Sequence, residues 1–365
     1  MSARVIPPLV AISPGVAGED ALFVVSEAML TSTTVPEEAP AAYSSGTTYA
    51  DGAQVSVAAA GNALDVYESL EPGNIGHTPA SSPLWWRFVG QTYGVYNAGT
   101  PYAEGDRVID VTTHLQYLAL AASTGVALSD ASKWKVEGAT NRWRALDVLR
   151  NTGATAPSPM TYVITPGKRI SAVGLSGLLA DRFTITVRVG GVVKWTRTEK
   201  LSTRITLSWS DYFFGHFTYR SVAGVFDIPK YAEAEIELTF ERDNGDVTVG
   251  GIWINDAVYL GELETEPGID RRSFVTFERD LDGNAILIRR PPKPANKWLL
   301  FLPKSRLPRV SPLPAELDGV PCFWSGLEDA TDEYFEPTTI IGVFTRFTIT
   351  PGHPDVRIDL ELEDA

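Results

Sequence analysis

The chain has few of the residue types that build most catalytic and metal sites. Cys322 is its only cysteine, so the chain can form neither an internal disulfide nor a cysteine-rich zinc site. Histidine, the usual general base at neutral pH, occurs at His77, His114, His216 and His353. These four histidines lie in unrelated segments, and none has a partner at metal-ligand spacing. We therefore expect no metal, no cofactor and no histidine-based catalytic site.

Long apolar runs are absent as well. No stretch approaches the ~20 apolar residues that a membrane-spanning helix needs, and 25 prolines and 31 glycines interrupt helices and mark turns. Pro7 and Pro8 interrupt the apolar residues 5–12, and no signal-peptide cleavage pattern follows them. The sequence predicts neither membrane insertion nor a secretory signal.

Positive charge is scarce. The chain has 31 Lys and Arg residues against 45 Asp and Glu residues, which gives a formal net charge of −14. The most basic stretch, residues 289–297, is broken by prolines and forms no cationic stripe. Because a negative field of this size repels phosphate groups, we expect no nucleic-acid partner.

Motifs of the common enzyme classes are missing too. The sequence has no Gly-x-Ser-x-Gly elbow, no P-loop and no dinucleotide fingerprint. The Gly-Leu-Ser-Gly of residues 174–177 is predicted to be a turn. Residues 280–284 resemble a calcium loop, but the glycine comes too early and no spaced glutamate completes the ligand set. A hairpin turn is the better interpretation of these residues.

An acidic run around Tyr334 and Phe335 leaves one enzymatic alternative open. Its members are Glu328, Asp329, Asp332, Glu333 and Glu336. Paired carboxyl groups hydrolyse glycosides when burial keeps one of them protonated. Charges crowded into a short polar stretch are more typical of a solvated loop. We expect that the chain is not an enzyme and keep polysaccharide cleavage as the alternative.

The sequence does contain an internal repeat. Five positions recur with a displacement of 53: Tyr43, Gly46, Tyr49, Gly52 and Val55 match Tyr96, Gly99, Tyr102, Gly105 and Val108. The displacement then shortens, with Tyr67 matching Tyr117, Trp86 matching Trp134 and Gly90 matching Gly138. This repeat predicts two tandem modules with a common fold. In each we expect a tight turn at the second glycine, a strand ending at the valine, a strand around the next tyrosine, and a buried tryptophan.

Alternating apolar residues predict that the rest of the chain is β-rich. Three hairpins are expected around glycine-containing turns, at residues 182–198, 235–254 and 272–289. Residues 303–314 predict an extended connection, and residues 313–317 one short helical turn. Residues 339–350 and 356–362 predict two further strands.

We therefore predict a mainly β chain with two tandem small β modules, an antiparallel β-sandwich and a C-terminal β-rich domain. A chain of this length usually holds more than one hydrophobic core. The predicted limits are 1–40 for an extended N-terminal segment, 41–90 and 91–140 for the two modules, 141–262 for the sandwich and 263–365 for an assembly domain. The proline-rich N-terminus and residues 303–314 look suited to reaching a neighbouring copy in a ring or trimer.

Aromatic side chains of the modules are the candidate contact residues, because flat rings can stack on the apolar face of a sugar. The candidates are Tyr49, Tyr67, Trp85 and Trp86 in the first module and Tyr117 and Trp134 in the second. Weak stacking contacts that are repeated gain avidity. Trp86 and Trp134 are also the expected centres of the two small cores. Lys133 stands where Trp85 would have its counterpart, so Trp85 is the better candidate for an exposed platform, with packing against the adjoining domain as its alternative role.

The first module carries a recognisable combination of motifs. Its pattern is Tyr-x-x-Gly-x-x-Tyr-x-x-Gly-x-x-Val from Tyr43, followed by Tyr67-Glu-Ser-Leu, Gly73-Asn, Pro79 and Trp86. This combination resembles the small chitin-binding-type carbohydrate modules over residues 43–90. The second copy departs from the pattern, because Tyr117-Leu-Ala-Leu replaces Tyr-Glu-Ser-Leu and the Gly-Asn dipeptide is missing.

Further motifs surround the modules. They are Glu27-Ala-Met-Leu, Val35-Pro-Glu, Asn141-Arg-Trp, Trp209-Ser-Asp-Tyr-Phe-Phe and Gly319-Val-Pro-Cys-Phe-Trp. In this order they resemble a family of tail proteins of siphophages and related prophages, in which one such module is inserted after a short N-terminal segment. The second module and a longer N-terminal segment depart from the family pattern.

The resemblance implies a structural protein of the virion tail tip, made in the host cytoplasm. It is either the distal-tail ring protein or a part attached to the hub or fibres. The implied partners are other tail-tip proteins, further copies in a trimer or hexamer, and host surface polysaccharide contacted by the outward modules, which can alternatively serve as protein-contact surfaces. The alternative is a free polysaccharide-binding or depolymerising protein similar to glycoside hydrolases.

Overall fold

The computed structural model describes residues 2–10, 23–149, 152–203, 208–215, 218–264, 268–279, 285–288 and 293–364. This part of the chain is mainly β, as predicted, and its sheets are antiparallel. In chain order the strands are β1 (Ser2–Ile6), β2 (Leu30–Thr33), β3 (Gln54–Ala58), β4 (Ala63–Ser69), β5 (Trp86–Tyr93), β6 (Arg107–Asp110), β7 (Leu115–Ala119), β8 (Trp134–Ala139), β9 (Ala154–Ala156), β10 (Met160–Ile164), β11 (Ala172–Ser176), β12 (Arg182–Val189), β13 (Val192–Lys200), β14 (Ser202–Thr203), β15 (Thr218–Tyr219), β16 (Ala223–Val225), β17 (Ala234–Glu241), β18 (Val247–Val249), β19 (Gly251–Asn255), β20 (Val258–Leu263), β21 (Gly268–Arg272), β22 (Thr276–Arg279), β23 (Ala285–Ile288), β24 (Lys293–Pro303), β25 (Cys322–Ser325), β26 (Thr339–Thr350) and β27 (Asp355–Asp364).

The helices of the described residues are short. They are α1 (Trp209–Phe214), α2 (Leu307–Val310), α3 (Leu313–Glu316) and α4 (Phe335–Thr338), with 3-10 turns at Glu27–Met29, Ala60–Asn62, Pro79–Ser81 and Lys304–Arg306.

The predicted sandwich is present. A five-stranded sheet of order β13-β12-β17-β10-β2 shares one hydrophobic core with the three-stranded sheet β16-β11-β19 and the pair β18-β9. Alternation in β12 and β17 decides which face is buried, since Phe183 and Ile185 of β12 and Ile236 and Leu238 of β17 all point into the core. The first predicted hairpin is confirmed, because β12 pairs with β13 along its length.

Most strands of the C-terminal part form, together with β1, a closed sheet around a second core. β1, β25, β26, β27 and β24 follow one another, and β20 pairs with both β1 and β24, while β21 attaches beside β24. Trp298, Leu300, Trp324 and Ile358 are at the centre of its core. The N-terminal residues 2–6 therefore lie inside the protein's own sheet rather than reaching toward a neighbouring copy.

The two cores meet where β25 crosses β11. Phe323 of β25 belongs to the sandwich core, and its ring lies so close to Gly174 that a Cβ on that glycine would be 2.7 Å from it. The prediction of a turn at residues 174–177 was wrong, because residues 174–176 lie in β11. Only Gly177, with φ +59°, is a turn residue. Glycine is needed at position 174 for close packing of two sheets.

The second predicted hairpin was also wrong. β17 pairs with β10 and β12, whereas residues 247–249 form β18 and pair with β9. The next residues form β19, which pairs with β11. The predicted strand at residues 247–254 divides into β18 and β19 at Gly250, where a Cβ would lie 3.0 Å from the Cα of Gly177. Long-range pairing with two different sheets therefore overrides the local turn signal at Asn244-Gly245.

The predictions for the C-terminal part have different outcomes. The extended connection at residues 303–314 was wrong, because Pro308 and Pro314 occupy first-turn positions of α2 and α3 and so begin helices. The helical turn at residues 313–317 and the strands at 339–350 and 356–362 are confirmed. β22 and β23 pair as the third hairpin requires, but its turn at residues 280–284 lies outside the described residues.

The repeats form two separate three-stranded sheets, β3-β4-β5 and β6-β7-β8. Their equivalent cross-strand pairs are Val55 with Tyr67 and Val108 with Tyr117, and Ser69 with Trp86 and Ala119 with Trp134. Gly52 and Gly105 have φ of +77° and +91°, as equivalent tight turns require. The shared fold is confirmed, although the first strands continue past the valines instead of ending there. In the sequence, the strands of both sheets come after β2 and before β10, and β2 and β10 pair with each other in the sandwich.

Candidate functional site

Each module is held together by the same cluster of three rings. The members are Tyr43, Tyr49 and Trp86 in the first module and Tyr96, Tyr102 and Trp134 in the second. In both, the tyrosines stack on each other and meet the tryptophan edge-on. The indole N–H of Trp86 donates to the carbonyl of His77 and that of Trp134 to the carbonyl of Val126. Trp86 and Trp134 are 2% and 3% exposed, so they are packing residues in this structure.

Trp85 lies half-buried at the surface of the first module. Its ring stacks on His77, with centroids 4.0 Å apart and planes at 11°. The backbone N–H of Trp85 donates to the carbonyl of Ser82 at 2.9 Å. The backbone carbonyl of Trp85 accepts from the N–H of Leu70 at 3.0 Å and from Nδ2 of Asn74 at 3.2 Å. The backbone of Trp85 is therefore held by the Gly-Asn element that the second module lacks.

The second module has a cation at the corresponding place. The N–H of Leu120 donates to the carbonyl of Lys133 at 2.8 Å, as that of Leu70 donates to the carbonyl of Trp85. Lys133 and Trp85 are thus equivalent in backbone geometry, and only the first module offers a ring there.

The other candidate residues differ in accessibility. Tyr49 is half-buried in the three-ring cluster, and its hydroxyl accepts from the N–H of Ser44. Tyr67 is half-buried and meets Phe88 edge-on at 5.5 Å; burial, together with the nearby Asp65 charge, raises the pKa of its phenol. Tyr117 is 8% exposed in the core of the second module. Trp85, Tyr67 and Tyr49 are the candidates that a ligand can reach.

A buried polar cluster around Glu37 was not foreseen. Oε1 of Glu37 lies 2.9 Å from Nδ1 of His114 and accepts from the hydroxyl of Thr140 at 2.8 Å, while Oε2 accepts from the indole of Trp143 at 3.1 Å. His114 also stacks on Trp143 at 4.1 Å. Glu37 and His114 are each 7% exposed. The cluster joins the segment before the modules, the second module and the start of the sandwich.

The sequence held a partial signal for this cluster. Glu37 and Trp143 end two of the motifs that flank the modules, Val35-Pro-Glu and Asn141-Arg-Trp. Their contact joins residues 106 positions apart, and no short-range pattern pairs such positions. The spacing argument does not find His114 either, because the sequence gives that residue no partner at metal-ligand spacing.

Asp147 is a second buried acid, and it predicts a pH dependence. It is 2% exposed, and its carboxyl accepts from the N–H of Leu149 and the hydroxyl of Thr152. Desolvation raises the pKa of Asp147 to about 7 despite these hydrogen bonds. The folded state therefore binds this proton more tightly than the unfolded state, whose Asp pKa is about 3.9. The contribution of the protonated Asp147 to the free energy of unfolding is therefore fully present below pH ~4 and is lost as pH rises through 7.

We expect Asp147→Asn to remove the part of the stability loss with rising pH that is caused by Asp147. Between pH 4 and 8 the free energy of unfolding of the wild-type chain should fall by on the order of 1–3 kcal/mol more than that of the variant. Denaturant titrations at several pH values measure the difference. Identical pH slopes for the two proteins would contradict the role of Asp147, and Asp243→Asn, at an exposed acid, serves as control.

The acidic run forms local turns and ion pairs. Glu328 pairs with Arg4 at 2.6 Å, and Asp332 accepts from the N–H of Tyr334. Hydrogen bonds from the hydroxyl and N–H of Thr331 lower the pKa of Asp329. A glycosidase acid needs a raised pKa and access to substrate. Among the described acids, Asp147 has the raised pKa, but its carboxyl is buried and hydrogen-bonded.

The described part of the chain offers little other site chemistry. No group of three or more His, Cys, Asp or Glu in it could hold a metal ion. Cys322 is buried, and desolvation raises the pKa of its thiol. No helix in this part is long and apolar enough to cross a membrane. Comparison of the chain with protein-family models, curated proteins and solved structures finds no match.

Proposed function

We propose that the chain is a non-enzymatic structural protein of a phage tail tip, located in the virion, whose first module contacts polysaccharide on the host surface. Its protein partners are further copies of itself and tail tube, hub or fibre components. The insertion of both modules between paired strands β2 and β10 supports this proposal, because an insertion there adds a binding surface and leaves the β framework intact.

The observation that carries the proposal is the Trp85 platform. A half-buried indole that is stacked on His77 and fixed through its backbone presents a preorganised ring, and little conformational entropy is lost when a sugar stacks on it. The second module has Lys133 in the equivalent place and is a spacer in this proposal. Asn62 holds the two modules together, since its Nδ2 donates to the carbonyl of Arg107 at 2.7 Å and its Oδ1 accepts from the Arg107 N–H at 3.0 Å.

For assembly, we propose that α1 packs against a second copy of the chain. Its rings are Trp209, Tyr212, Phe213 and Phe214, which are 80%, 56%, 64% and 82% exposed. They contact one another, with Tyr212 edge-on to Phe213 at 5.1 Å, and so form one apolar surface. Burying four such rings covers on the order of 500 Å². A stable interface needs about 800 Å² per partner, so α1 is the centre of a larger contact.

The edge strand β13 offers a second exposed surface for contact between copies. It is an outer strand of the five-stranded sheet and has no buried residue. Val192 and Val193 are more than half exposed, whereas Lys194 and Lys200 discourage uncontrolled edge pairing. These features favour a specific contact between copies over open-ended aggregation.

Replacing Trp85 by Ala should weaken virion adsorption without impairing assembly. Stacking on one exposed ring is worth about 0.5–1.5 kcal/mol. Three or six copies acting together multiply that loss, so we expect adsorption to fall on the order of tenfold or more. Adsorption rate, tail assembly by electron microscopy and thermal melting of the purified chain are measured together.

Leu84→Ala is the matched control, because Leu84 is the neighbouring residue, is 83% exposed and carries no ring. Unchanged adsorption of Trp85→Ala virions with normal assembly would rule out the Trp85 contact. A lowered melting temperature together with failed assembly would show that Trp85 is a packing residue.

A further inference from the structure

A cleft opens where the first module, the second module and the sandwich meet. Its volume is about 360 Å³, within the usual range for small-ligand sites. Strand β5 supplies Phe88, Gln91 and Tyr93, the second module supplies Gln116, and Arg144 and Asp246 come from the segments around the sandwich. The cleft lies on a different part of β5 from the Trp85 end, and none of the six candidate contact residues lines it.

Side chains of β5 form the module wall of the cleft, and neighbouring side chains of β4 support them from outside the cleft. Asp65 pairs with Gln91 and Tyr67 with Phe88 across β4 and β5, so these side chains share one face of the sheet. Tyr67 meets Phe88 edge-on at 5.5 Å, and Nε2 of Gln91 donates to Oδ1 of Asp65 at 2.9 Å. The hydrogen bond to Asp65 orients the side-chain amide of Gln91.

A hydrogen-bonded chain fixes the opposite wall. Arg107 donates to Glu137 at 2.8 Å, Gln116 donates to the same carboxylate at 2.7 Å, and Arg144 Nη2 donates to Oε1 of Gln116 at 3.2 Å. Burial would raise the pKa of Glu137, but the bonds from Arg107 and Gln116 outweigh it and hold that pKa below its usual value. Gln116 and Arg144 are therefore positioned before any ligand arrives.

Charge in the cleft favours a neutral polar ligand. Arg107 is paired with Glu137, and Arg144 and Asp246 are both lining residues of the cleft, so their opposite charges offset each other. A net cationic site would select phosphates or carboxylates. A sugar needs donors and acceptors at close range for its hydroxyls, and an apolar ring for its C–H face. Arg144, Asp246, Gln91 and Tyr93 offer this combination.

We propose that this cleft binds a pyranose unit of a neutral polysaccharide, as a subsite separate from the Trp85 platform. Tyr93 and Phe88 contact the C–H face, while Gln91, Asp246 and Arg144 hydrogen-bond the hydroxyls. This inference rests on the proposed glycan-binding function of the first module. The Asn62 contact with Arg107 keeps the two modules in a fixed relation, so the cleft is preformed.

The test titrates the intact chain with N-acetylglucosamine trimer and with glucose trimer, by calorimetry and ligand-observed NMR. The variants are Gln91→Ala, Asp246→Ala and the double variant. Gln91 and Asp246 are exposed, so their loss should leave the fold intact, which thermal melting verifies. Each single variant should weaken binding of the accepted trimer about fivefold, the worth of one hydrogen bond. Gln54→Ala, at an exposed residue of β3 with a similar bond to Glu68, should change nothing.

The outcomes separate this inference from the proposed function. Binding that survives in the double variant but is lost in Trp85→Ala would place the sugar on the platform alone, and the cleft subsite would be wrong. Binding lost in the double variant but retained in Trp85→Ala would support the cleft and contradict the platform. Absence of binding of either trimer to the wild-type chain, with virion adsorption still dependent on Trp85, would overturn the cleft and leave the proposed function standing.

Discussion

Replacing Trp209, Phe213 and Phe214 together by Ser is expected to leave the purified chain monomeric, whereas we expect the wild-type chain to form a trimer or hexamer. The three rings are 64–82% exposed on α1, and an aromatic residue at the centre of an interface contributes about 2 kcal/mol or more. Loss of two such residues already weakens association about a thousandfold. Light scattering of the two proteins across a range of concentrations measures the change.

The fold of the α1 variant should be unaffected, because α1 has no buried residue. Tyr334→Ser is the matched control: its ring is 58% exposed on a different segment, and its loss should leave the oligomer unchanged. A wild-type chain that stays monomeric at its highest soluble concentration would contradict self-association through α1. A variant that assembles as well as the wild type would assign the interface to another surface.

Replacing Glu37 by Ala is expected to lower the free energy of unfolding by about 3–5 kcal/mol. The substitution removes the acceptor of Thr140 and Trp143 and the partner of His114, and each buried polar group left without a partner costs about 1–3 kcal/mol. Glu37 is 7% exposed, so little water can replace the lost bonds. Denaturant titration measures the change.

Two further variants sharpen this test. Glu38→Ala alters the neighbouring exposed acid and should stay within about 0.5 kcal/mol of the wild type. Glu37→Gln keeps one acceptor oxygen and the side-chain size, so it should fall between the wild type and Glu37→Ala. A loss below about 1 kcal/mol in Glu37→Ala would show that the cluster is dispensable for the stability of the chain.

Local patterns predicted the elements that depend on short-range pairing. The hairpin β12-β13 closes through two glycines with positive φ, a turn chemistry that is readable from Gly190-Gly191. The repeat was readable because its tyrosines, glycines and tryptophans hold fixed positions in each small sheet, and a module of this size has few other residues to form a core.

Predictions failed where packing against distant parts of the chain decides the conformation of a segment. Residues 247–254 carry a hairpin signal, yet they contribute strands to two different sheets. The prolines of residues 303–314 predicted an extended path, but the closed sheet uses Val310 and Leu313 to cover its core, and the chain turns helical to place them there. In both segments, burial of apolar surface outweighed the local preference.

The sequence by itself determined the β class, the tandem repeat and the tryptophan at the centre of each module, because these depend on residue type and short spacing. Tertiary structure alone decided the closure of β1 into the C-terminal sheet, the Glu37 cluster and the cleft between modules and sandwich. Glu37 and Trp143 are 106 positions apart, and β1 pairs with β25 across more than 300 residues. Such contacts form only when whole faces are buried together, and no local pattern encodes which distant faces will meet.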